Sequence, residues 1–251
     1  MPKVSWKTFH VVAALVVVGA LVSCGGAKKA DPTRFAKDWH KYEAVNFTVY
    51  TPPDTPRPRR GIEAFGKASD DTYDFVARQL RLQVEDDIAI YLFTSTEQCE
   101  AATGKPASFV EGLNIYTRLG APSGGMIAEA MCNSIDPQAP SFRLIRDGVR
   151  NLFDERDLNI HYEALAFRDS GKWASLEDLL ETQSASDPDI YKFASASFVA
   201  FLIQRYGTDQ FHMLWRSVLE LRPSIEKIYG GTLPQMEEEW FRIQDKLAKK
   251  T

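Results

Sequence analysis

The chain has 251 residues, with 30 lysines and arginines against 34 aspartates and glutamates, and a formal net charge of −4 at pH 7. Hydrophobic residues make up 44% of it and charged residues 25%, a globular balance that excludes a disordered or fibrous chain. Without a basic stripe, the electrostatic footprint that nucleic-acid binding requires is missing, so no nucleic-acid partner is expected.

The first element is a targeting segment. Lys3 and Lys7 precede an apolar stretch from Val11 to Val22, interrupted only by Gly19. That run is short of the roughly 20 apolar residues a spanning helix needs, and it fits the apolar region of a secretory signal behind a positive start. Leu21-Val22-Ser23-Cys24 resembles the lipobox of bacterial lipoproteins, and Gly-Gly-Ala-Lys-Lys-Ala-Asp-Pro follows it as a polar tether. The resemblance implies cleavage before Cys24 and lipid on its thiol. That lipid would be the membrane contact of a protein working outside the cytoplasm, in the cell envelope, on the inner or the outer membrane. The expected organisation is a signal peptide over 1–23, a lipidated cysteine and tether over 24–40, and one domain over 41–251.

Within the domain, Val45, Phe47 and Val49 alternate with Asn46, Thr48 and Tyr50, the period of a half-buried strand ended by Pro52-Pro53. From Gly61, the positions Ile62, Phe65, Tyr73, Val76 and Leu80 keep helical spacing and predict a long amphipathic helix. Ile88 to Phe93 predicts a second strand and Gly112 to Thr117 a third. The pattern then turns helical. Helices are expected over Met126 to Ile135, stopped by Pro137, then over Phe142 to Phe153, and over Tyr191 to Tyr206, ended by Gly207. Two more run from Asp209 to Leu221 and from Leu233 to Leu247. Strands followed by a run of helices argue for an α+β domain. Trp173, Trp215 and Trp240 fall at positions suited to core packing.

Several stretches carry a more specific pattern: Trp173-Ala174-Ser175-Leu176 with Leu179, then Tyr191 leading to Ser197-Phe198-Val199-Ala200-Phe201-Leu202-Ile203 and Arg205-Tyr206-Gly207. Tyr229-Gly230 with Leu233, Glu237 and Trp240 completes the series. In this order, behind strands and a long helix, they resemble the peptidase MA-like members of the gluzincin metallopeptidases. The resemblance covers most of the expected domain and implies a zincin-like fold, with a small N-terminal sheet and long helix followed by a mostly helical part. In active relatives, a helix bearing His-Glu-x-x-His supplies two zinc ligands and a general base, and a Glu-Gly pair on the next helix supplies a further ligand. The matching positions here are Ala128-Glu129-Ala130-Met131-Cys132 and Asp147-Gly148. Only the general-base position, Glu129, is kept. Ala128 has no donor, Cys132 ligates only as thiolate, and Asp147 is one methylene shorter than Glu. The resemblance therefore implies a silent domain without zinc or another cofactor, its cleft open to a peptide, a protein or an envelope component.

Alternatives stay open at this point. A hydrolase with rebuilt chemistry would draw on Glu129 with Asp147, Cys132 or His161, and a structural envelope lipoprotein would use none of them. Glu129 on a short apolar helix is expected to be partly buried, its pKa raised unless a partner holds it. Tyr191 and His161 are candidates for lining the cleft. Cys99 and Cys132 either pair as a disulfide, which an oxidising envelope permits, or stay thiols. Gly-x-Ser-x-Gly and a phosphate-binding glycine loop are absent from the sequence, and Gly124-Gly125 is too little for a phosphate cradle.

Overall fold

A computed structural model of the chain describes residues 35–248, apart from 54, 56–58, 106–107, 119–123, 137–141, 174, 183–186 and 218. The expected signal peptide, Cys24, most of the tether and Pro137 lie outside the described residues. The packed part begins earlier than expected, because Phe35, Ala36 and Trp39 already cover one face of the sheet.

The strands are β1 (His40–Glu43), β2 (Phe47–Thr51), β3 (Ile88–Phe93), β4 (Phe109–Glu111) and β5 (Asn114–Arg118). They form a mixed sheet in the order β1-β2-β3-β5-β4, with β2, β3 and β5 parallel and the two outer strands antiparallel to their neighbours. The long helix α1 (Arg59–Leu80) connects β2 to β3 and buries Phe65, Tyr73, Val76 and Leu80. Strand alternation divides the sheet into two faces. Phe47, Val49, Ile88, Ile90, Leu92 and Ile115 point into the main core, whereas Tyr91, Phe93 and Tyr116 point the other way, under the short helix α2 (Thr96–Thr103).

The remaining chain is helical: α3 (Gly124–Asn133), α4 (Arg143–Asp154), α5 (Ile160–Asp169), α6 (Leu176–Thr182), α7 (Pro188–Tyr206), α8 (Thr208–Trp215), α9 (Leu221–Tyr229) and α10 (Leu233–Ala248). This is an α+β architecture. Helix α3 is buried from Gly125 to Asn133, and α7 from Ala194 to Leu202, so these two have neighbours on every side. Asp187 caps the start of α7 by accepting from the Asp189 N–H, and Pro188 in its first turn has no N–H to leave unpaired.

Several expectations are corrected. Val45 is 83% exposed, in the turn before β2, where its N–H donates to Asp70. The helix expected over Asp209 to Leu221 ends already at Trp215, and a further helix, α9, begins at Leu221, where the expected one was to stop. Sequence periodicity did not reveal β1, β4, α2, α5, α6 or α9.

Close backbone approach explains two glycines. A Cβ at Gly148 would stand 2.6 Å from the Ser195 carbonyl oxygen and 2.6 Å from the Val199 Cγ2, so α4 and α7 cross in contact. A Cβ at Gly125 would collide with the Arg150 carbonyl, so the glycine pair at the start of α3 serves helix packing.

Candidate functional site

Helices α3, α4 and α7 bring three of the expected site residues together. Glu129 on α3 is 3% exposed. Its carboxylate accepts a hydrogen bond from Arg150 Nε of α4, and Arg146 Nε lies 4.0 Å from its other oxygen. One turn from Arg143 on the same helix, Asp147 accepts from Arg143 Nε at 2.9 Å and from the Tyr191 hydroxyl of α7 at 3.4 Å. The Arg143 guanidinium also stands over the Tyr191 ring, 5.8 Å from its centre.

Electrostatics follow from this layout. Burial raises the Glu129 pKa above the ordinary carboxylate value, and Asp147 adds to the rise, while Arg150 and Arg146 pull it down. Tyr191 is likewise pushed up, by burial first and then by Asp147. Three guanidinium charges face two carboxylates, which leaves one net positive charge on a surface where Arg143 and Arg146 are 52% and 40% exposed. Sequence reading passed over these arginines. Their signal was the spacing 143, 146, 150 around Asp147, which sets all of them on one face of a helix.

Ala128 and Cys132 flank Glu129 on α3 and are both fully buried. Burial pushes the Cys132 thiol far up, so it remains protonated. The residues present do not fit a zinc ion. One position has no donor, the thiol does not ionise, both carboxylates are held by other groups, and the adjoining guanidiniums repel a cation. Among the described residues, no group of three or more His, Cys, Asp and Glu side chains is arranged to hold a metal.

The other candidates lie elsewhere. His161 on α5 is 5% exposed and has its Nδ1 2.9 Å from the Ser197 Oγ. That oxygen also accepts from Trp240 Nε1 at 2.9 Å and Gln244 Nε2 at 3.2 Å. Two N–H donors already reach the hydroxyl, which leaves its single proton available to Nδ1. Burial agrees, lowering the His161 pKa against the opposing Gln204 amide. His161, expected as a cleft-lining candidate, packs in the layer of α5, α7 and α10, where it shares Ser197 with Trp240 and Gln244. Cys99 and Cys132 are both free. They belong to clusters on opposite faces of the sheet, so the pairing considered from sequence does not form. Trp215 and Trp240 are buried as expected, and Trp173 packs on Trp240 with ring centres 5.2 Å apart.

Among the described residues, no helix is long and apolar enough to cross a membrane. Compared with known proteins, the chain matches no family model and no curated protein sequence.

Proposed function

We propose that this chain is a bacterial envelope lipoprotein, anchored through lipid on Cys24, whose domain is a catalytically silent relative of the gluzincin peptidases that binds a peptide, a protein or an envelope component. The supporting observation is the arginine network. Where the resemblance puts a metal and its activated water, Arg150 and Arg146 hold Glu129, and Arg143 with Tyr191 holds Asp147. Burial raises the Glu129 pKa, but the Arg150 guanidinium occupies one of its oxygens and so takes that oxygen out of use as a base. The hydrolase alternative loses its parts in turn: Cys132 is an unionised buried thiol, and His161 is turned to Ser197.

The exposed Arg146, with only a 4.0 Å pair to Glu129, favours a ligand that carries a negative charge into the cleft. The zincin-like fold enters on the same footing, supported by the order of sheet, buried helix and crossing helix.

The first test is metal content by mass spectrometry on protein purified without a histidine tag or chelator. Less than about a tenth of a zinc per chain is expected from a site lacking three competent ligands, and a full equivalent would overturn the silent reading. Intact mass tests the anchor: the wild-type chain made in a bacterial host should lose its first 23 residues and gain diacylglycerol, and Cys24→Ser should do neither.

A further inference from the structure

Beyond Arg150, at the C-terminal end of α4, two hollows share the wall made by Phe153 and Arg156. One is an apolar pocket of about 130 Å³, with Phe153, Ile160 and Ala200 as its buried floor and Ile203 beside them. Exposed side chains of Arg156, Gln79 and Gln204 line the same pocket. The other hollow is mixed, with the carboxylates of Asp71, Asp154 and Asp157 set among Phe65, Ala68 and Thr72. None of those carboxylates lines the apolar pocket, and Asp154 is engaged at the start of α3, where it accepts from the Gly125 N–H at 2.6 Å.

Size, polarity and charge narrow the occupant. A dry cavity of about 150 Å³ accepts a benzene ring, so this pocket takes one branched aliphatic group and little more. Arg156 forms no ion pair among the described residues and rests over the Phe75 ring, 5.7 Å from its centre, so its donors are free for an incoming anion. The Gln79 amide offers both a donor and an acceptor, which suits a peptide bond.

We propose that this pocket binds the C-terminal residue of a peptide, its aliphatic side chain on Ile160 and Ala200 and its carboxylate on Arg156. The site is separate from the Glu129 cluster and does not depend on the function proposed for it.

The test titrates the full chain, held in lipid nanodiscs, with the tripeptide Gly-Gly-Leu and with its C-terminal amide, reading the methyl resonances of Ile160 and Ile203 by NMR. The acid should shift both methyls and bind roughly tenfold tighter than the amide, the worth of one charge-assisted hydrogen bond. Arg156→Gln, at an exposed position, should bring the acid down to the amide's affinity with the fold retained. Equal binding of acid and amide would overturn the proposal, as would tighter binding of the amide or unmoved Ile160 and Ile203 methyls. Octanoate binding tighter than the peptide would assign the pocket to a fatty acid and overturn it as well.

Discussion

Arg150 on α4 sets its Nε against the carboxylate of Glu129 on α3, joining a cation with 28% of its side chain exposed to an anion with 4% exposed. The two partners are not equivalent. Removing the arginine strands a carboxylate away from water, whereas neutralising the carboxylate leaves a guanidinium that still reaches solvent.

Arg150→Ala should therefore cost about 2–3 kcal/mol, below the usual figure for breaking a buried pair because Arg150 is partly exposed and Arg146 remains nearby. Glu129→Gln should cost about 1 kcal/mol. Urea midpoints of the two variants check the order, and the reverse order would refute this account.

Glu129 and His161 pull the pH dependence in opposite directions. Burial raises Glu129 above its ordinary 4.5, so between 4.5 and the raised value the folded chain keeps a proton that the unfolded chain has lost. Stability from this group falls as pH rises through that window. Burial lowers His161 below 6.5, and His212 as well, so their contribution is present above 6.5 and is lost as pH falls through their folded values. Stability curves of wild type, Glu129→Gln and His161→Gln from about pH 4 to about pH 8 separate the two. Relative to Glu129→Gln, the wild type should lose ground as pH rises. Relative to His161→Gln, it should lose ground as pH falls.

Much of this architecture was legible in the chain, and the omissions have physical causes. Ile88 to Phe93 was read to the residue because β3 is central, paired on both sides, and all but one of its positions are buried. By contrast, β1 is an edge strand of His, Lys, Tyr and Glu with largely exposed side chains, so it shows no apolar alternation. Helix α5 buries only Ile160, His161, Ala164 and Leu165, too short a stripe for periodicity to detect, although its cap Asn159 was there to be read. At the site, Glu129, Asp147 and Tyr191 were identifiable by position along the chain. The arginines that decide their chemistry show in the sequence only as a shared helix face, and nothing along the chain says that a buried carboxylate lies opposite it.

Ser197 anchors a polar knot inside an apolar layer. Ser197→Ala leaves His161 Nδ1, Trp240 Nε1 and Gln244 Nε2 without their common partner. The expected loss is about 2–4 kcal/mol, measured by urea denaturation, since each buried group left unpaired costs on the order of 1 kcal/mol or more. A loss near zero would mean that the three groups find other partners.

Gly148→Ala should run against the usual rule. In a helix interior this exchange normally stabilises by about 0.5–1 kcal/mol. Here the new methyl meets the Ser195 carbonyl and Val199, and forcing α4 and α7 apart costs about 1–3 kcal/mol, so the strain wins. Thermal unfolding of the variant should show a lower midpoint, and a higher one would show that the crossing has slack.

The sheet that parts Cys99 from Cys132 also gives the molecule two independent clocks. Each thiol is sealed, Cys99 at 2% exposure and Cys132 at 0%, so an alkylating reagent reaches either one only when its own layer opens. Cys132 labels when the buried helix α3 comes away from its neighbours, and Cys99 when α2 lifts from the aromatic face on the other side. The ratio of the two labelling rates reads out whether this chain loosens one layer at a time or all at once.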